Sequence, residues 1–142
     1  MKSSARNQLS GTITRIDTED GDCLVTLTTA QGTLLYARIS RFSCRRLNLA
    51  VGCPVAVMVK ASAVMLATEL APMRLSAENC VAGTVLRVEQ GAVNHVLTLD
   101  IGGGEQLCAG ITLSGSEELA LQPGSAAVAV FNANQVVLGV LA

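Results

Sequence analysis

The sequence predicts an all-β chain of two tandem, small, OB-like five-stranded barrels, each with one short helix. Three observations predict it: short β-branched runs cut by glycine-bearing turns, an internal repeat that spans the chain, and a composition that is half apolar with 13 glycines. Such a composition belongs to a globular chain and leaves no disordered class to consider.

The repeat comes first, because it fixes the unit that every element belongs to. Ser4-Ala5-Arg6-Asn7 returns as Ser76-Ala77-Glu78-Asn79, an offset of 72 residues. Without a gap, the same offset maps Gly11-Thr12-Ile13 onto Gly83-Thr84-Val85, Leu47-Asn48-Leu49 onto Leu119-Ala120-Leu121, and Val64-Met65-Leu66 onto Val136-Val137-Leu138. The chain therefore reads as two copies of one domain, residues 1–70 and 73–142, joined near Ala71-Pro72.

Within the first copy the expected strands are Gly11 to Asp17, Cys23 to Thr29, Thr33 to Ser40, Pro54 to Lys60 and Ala63 to Thr68. A short helix, Phe42 to Asn48, is expected between the third and fourth strands and is matched by Ser114 to Ala120 in the second copy. Five short strands and one helix in about 70 residues suit a small barrel. Val55-Ala56-Val57-Met58-Val59 and Ala126-Ala127-Val128-Ala129-Val130-Phe131 are apolar at every position, so both faces of these strands should be covered. A domain of about 70 residues buries only about 60% of its unfolded surface, which also calls for a sister copy or a second chain.

A net charge of −1 gives no footprint for a nucleic-acid backbone, and three aromatic residues give no stacking platform. No apolar run reaches the roughly 18 residues of a membrane span, and the first residues carry no signal-peptide pattern, so a cytoplasmic location is expected. Five cysteines, odd in number and without CxxC spacing, encode neither a disulfide framework nor a zinc site and read as buried small thiols. His95 stands alone and reads as a strand residue, and Gly102-Gly103-Gly104 as a hairpin loop. Asp20 and Asp22 lack the other oxygens of a calcium loop. No nucleophile–base pair or carboxylate dyad is visible, so the chain is not expected to be an enzyme or to hold a cofactor.

What remains is donor-rich loops. Ser4-Ala5-Arg6-Asn7 offers a hydroxyl, a guanidinium and an amide, a set that suits an anion. Lys60-Ala61-Ser62 lies in a tight turn between apolar strands, where a lysine is otherwise only a polar hairpin tip. Ser40 and Ser43 flank the helix start, either as caps or as part of an anion pocket. Gly91-Ala92-Val93-Asn94 is a turn whose glycine permits close backbone approach, or simply a turn.

SARN ahead of a GT[IV] strand, the GAVN turn and a lysine-alanine turn before an apolar strand together resemble the molbindins, whose Mop-type barrels bind molybdate and tungstate. The likeness covers the whole chain and is nearest to the paired Mop domains of molybdate-responsive regulators. It implies an oxyanion site of Ser4, Ala5, Arg6, Asn7, Ser40, Ser43, Lys60, Ala61 and Ser62 at an interface between two chains, and a second type of site at Gly91, Ala92, Val93 and Asn94. It also implies a homo-oligomer, a dimer ahead of a trimer, that stores molybdate or tungstate or serves as the sensing module of a regulator or transporter. Two departures lie in opposite copies: Glu78 and Asn132 replace the arginine and lysine in the second, and Glu19-Asp20-Gly21-Asp22 replaces GAVN in the first. Fewer sites are therefore expected than in a molbindin with both copies intact.

Overall fold

A computed structural model describes residues 2–141; Met1 and Ala142, the outermost residues of the two expected domains, lie outside the described residues. The first copy contains β1 (Asn7–Thr18), β2 (Asp22–Thr29), β3 (Leu34–Ser40), the helix α1 (Arg41–Arg46), β4 (Pro54–Val59) and β5 (Met65–Ala67). The second contains β6 (Asn79–Gln90), β7 (Asn94–Gly102), β8 (Glu105–Thr112), α2 (Leu113–Leu119), β9 (Ala126–Phe131) and β10 (Val137–Gly139). Each element of one copy has its counterpart in the other.

The sheets do not follow the copies. Their strand orders are β10-β4-β1-β2-β3 and β5-β9-β6-β7-β8, so each copy gives its fifth strand to the other's sheet. Leu138 pairs antiparallel with Val57, and Leu66 with Ala129. Edge strands β10 and β3 also touch, as do β5 and β8, which closes each sheet toward a barrel.

The cause is local. Lys60-Ala61-Ser62 was expected to be a tight turn joining neighbouring strands, but Ala61–Ala63 forms one turn of 3-10 helix, with Ala63 N–H and Val64 N–H bonding back to the carbonyls of Lys60 and Ala61. That turn redirects the chain, so the next strand begins at Met65 instead of Ala63 and joins the other sheet. Ala133–Gln135 does the same in the second copy. The first strand begins earlier than expected, at Asn7, because residues 7–12 pair with β4 while residues 11–18 pair with β2. A bulge at Thr14, matched by one at Leu86, bends each long strand between its two partners.

Alternation places Ile13, Val25, Leu27, Leu35, Ala37, Val55 and Val57 in the first core and Val85, Leu97, Leu99, Leu107, Ala109, Ala127 and Ala129 in the second, all buried. Leu66 and Leu138 cross over to fill the opposite core. This packing covers one face of β4, whereas on β9 the outward-facing Val130 is buried as well as the inward-facing Ala127 and Ala129. Ala56 and Met58 on the outer face of β4 are half-buried, Val137 beside Met58 is 59% exposed, and so is Met65, which pairs with Val130 in the other sheet. The cysteines also depart from expectation: Cys23 alone is buried, and Cys80 is exposed on the outer face of β6.

Candidate functional site

Asn7 and Val59 form the last rung of the β1–β4 ladder, so Arg6 and Lys60 leave the sheet side by side. The Asn7 side chain is buried and hooks onto β8: Nδ2 donates to the Cys108 carbonyl at 2.8 Å and Oδ1 accepts the Cys108 N–H at 2.6 Å. The amide oxygen and one of the two amide hydrogens are thus engaged by β8, which anchors Asn7 as a link between the sheets. The 61–63 turn also packs on β8 beside Gly110, where a Cβ would lie in ordinary contact 3.7 Å from the Ala61 backbone.

The far end of β8 brings in the GAVN turn. Thr112 pairs with Asn94, and the turn is closed by Gly91 N–H to the Asn94 carbonyl at 3.0 Å. A Cβ on Gly91 would sit 2.5 Å from that oxygen, which explains the glycine. Arg6 Nη1 lies 3.8 Å from Glu89 Oε2 at the end of β6, both side chains about half exposed at 52% and 50%. A pair this open and this long is weak. The first cluster therefore gathers Ser4, Arg6 and Lys60–Ser62 from the first copy with Gly91–Asn94 from the second.

The second cluster is its counterpart. Asn79 pairs with Phe131 and hooks onto β3, donating to the Tyr36 carbonyl at 2.9 Å and accepting its N–H at 2.8 Å. Glu78 and Asn132, the residues just beyond that rung, occupy the places of Arg6 and Lys60. Glu78 Oε1 accepts the Ala133 N–H at 3.0 Å, and Glu78 Oε2 lies 3.5 Å from Arg38 Nη2. Arg38 Nη1 also reaches Asp22 at 3.4 Å and Glu19 at 3.5 Å. The Ala133 hydrogen bond, with help from Arg38 and against partial burial, holds the Glu78 carboxyl below the usual glutamate range.

Strand exchange thus sorts the two departures from the family pattern. They lie in opposite copies along the chain, yet Glu78, Asn132, Glu19 and Asp22 meet in one cluster, while SARN, the lysine-alanine turn and GAVN meet in the other. The sequence held the signal only as a combination: the 72-residue offset together with a crossover of the fifth strands.

Ser40 and Ser43 are not brought to Arg6 and Lys60 within the chain. Ser40 pairs with Asp22 and caps α1, its Oγ accepting the Ser43 N–H at 3.0 Å. Both serines border a hollow of about 250 Å³ closed by Val136, Val137 and Leu138. His95 is a buried strand residue whose Nδ1 lies 3.1 Å from Ser116 Oγ, a contact that the sequence did not disclose and that ties β7 to α2. No group of three metal-ligating side chains occurs among the described residues.

The chain, two small barrels in tandem, belongs to the TOBE-domain family, which matches it twice, over residues 3–66 and 75–138. It is 40% identical over 140 residues to the molybdenum transport protein ModE of Herbaspirillum seropedicae, covering 99% of this chain and 52% of that protein. To the molybdenum-pterin-binding protein MopA of Rhodobacter capsulatus it is 38% identical over 138 residues, covering 97% and 52%. The solved structure of the cytoplasmic molybdate-binding protein ModG with molybdate bound matches at a TM-score of 0.97 and 40% identity, covering 99% of this chain and 100% of that one. The chain spans about half the length of the curated relatives it matches. The resemblance drawn from SARN, GAVN and the lysine-alanine turn is therefore a family relationship.

Proposed function

We propose that the chain binds and releases a tetrahedral oxyanion, molybdate or tungstate, without chemical change. The observation that carries this reading is the adjacency of Arg6 and Lys60 beside the Ala61 amide, which has no hydrogen-bond partner among the described residues. A dianion leaving water needs opposite charge and hydrogen bonds to offset its lost hydration. Two cations supply the charge, and Ser4, Ser62 and the Ala61 N–H supply donors. A second chain contributes Ser40 and Ser43, since these lie in the other cluster of their own chain. The half-covered outer faces around Met58, Val137 and Met65 favour the same homo-oligomer, a dimer ahead of a trimer.

No step requires a catalytic group or a cofactor. Storage in the cytoplasm is the first role, in keeping with the whole-length match to a protein described as cytoplasmic and molybdate-binding. Sensing is the second, favoured by regulators about twice as long as this chain. Calorimetric titration with molybdate, tungstate and sulfate, together with the mass by light scattering, tests both site and assembly. Heat from the first two ions and a mass above one chain are expected. A monomer at micromolar concentration, or no heat with either metal oxyanion, sinks the proposal.

A further inference from the structure

Resting on the oxyanion reading above, the geometry points to Glu78 as a built-in anion: its carboxylate takes, in the second cluster, the place that an exogenous oxyanion takes in the first. The two places correspond through the repeat. Ala133 is the counterpart of Ala61, and Glu78 the counterpart of Arg6. In the second cluster the turn amide that faces the site is already bonded, Ala133 N–H to Glu78 Oε1 at 3.0 Å. The other carboxylate oxygen meets a guanidinium, that of Arg38 at 3.5 Å. A carboxylate held by one backbone amide and one arginine is hydrogen-bonded as a bound oxyanion would be. In the first cluster the corresponding amide has no partner among the described residues, and the position of Arg38 is taken by Gly110.

The substitution is therefore not merely the loss of a cation. Glu78 is tethered and always present, so an ion from solution would have to displace it from both donors and then face Asp22 and Glu19 as well. Arg38 has a second consequence, since it arrives where the first cluster has no side chain at all. It supplies positive charge to an internal anion and leaves none for an external one. The second cluster is closed by its own ligand, and the count of oxyanions per chain is set by that carboxylate and its acidic neighbours.

The test converts the second cluster into the first. A Glu78→Arg, Asn132→Lys, Asp22→Asn variant is compared with the wild-type chain by equilibrium dialysis against molybdate, and the Ala61 and Ala133 amide resonances are followed during titration. In the wild type the Ala61 amide is expected to shift and the Ala133 amide to stay. In the variant both shift, and one further molybdate binds per chain. Glu78→Gln, a milder change, is expected to move the Ala133 amide in the absence of any ion, because its charged acceptor is gone. An unmoved Ala133 amide in both variants, with Ala61 still responding, overturns this inference and leaves the oxyanion reading standing. A wild-type Ala61 amide that ignores molybdate overturns both.

Discussion

Asn7 and Asn79 are the residues on which the geometry of both clusters hangs. Each is buried, and each satisfies one backbone N–H and one carbonyl of a strand in the other sheet. Truncation orphans both backbone groups, and leaving a buried polar group unpaired costs about 1 to 3 kcal/mol. Asn7→Ala and Asn79→Ala are each expected to lower stability by about 2 to 4 kcal/mol in urea unfolding. A change under about 0.5 kcal/mol, the range of ordinary surface substitutions, would count against the staple role. Arg6 and Lys60 carry a different prediction. Truncating one member of a desolvated charge pair typically costs about 2 to 5 kcal/mol, so Arg6→Ala or Lys60→Ala should weaken molybdate binding by roughly 30-fold or more. Asn132→Ala should leave that affinity unchanged, because its amide belongs to the closed cluster. Acid sensitivity follows from Glu78, whose carboxyl titrates below its ordinary value in the folded chain. The unfolded state then binds the proton more readily, so Glu78 contributes stability that is present above the ordinary glutamate range and lost as pH falls through the depressed value. Glu78→Gln should flatten that part of the stability profile between neutral and acid pH; an identical slope in wild type and variant would show that the pairing is not felt.

At the scale of elements, the repeat and the alternation were legible and the crossover was not. Glycine turns and β-branched runs located the strands, and the helix expected over Phe42 to Asn48 lies at Arg41–Arg46, because these are properties of neighbouring residues. The destination of a strand is a property of the whole chain. Val64-Met65-Leu66 carries the same apolar pattern whether it pairs with β4 or with β9, and after the turn at Ala61–Ala63 it pairs with β9. For the same reason the candidate residues were legible as residue types and not as a grouping: Arg6 and Lys60 flank the Asn7–Val59 rung, while Ser40 pairs with Asp22. Crossover makes a prediction that a simple tandem pair would not. Leu138 belongs to the second copy but is buried in the first sheet against Val57. Leu138→Ala should cost about 2 to 5 kcal/mol, as buried leucines do, and amide exchange should rise in β1 and β4. Faster exchange confined to β6, β7 and β9 would contradict the pairing.

The whole molecule behaves, on this topology, as one body, because neither sheet is complete without residues from the other copy. A single copy would carry one fifth strand to give and one gap to fill, and could close its sheet only by meeting another chain at a rate set by concentration. Joining two copies through the 68–78 segment makes that encounter intramolecular, at an effective concentration on the order of millimolar that dilution does not change. It also removes a constraint of symmetry. In a pair of identical copies every substitution appears twice, so a glutamate placed in one cluster would appear in its twin. Within one continuous chain the two ends mutate separately, which is how Arg6 and Glu78 can stand at corresponding positions with opposite charge.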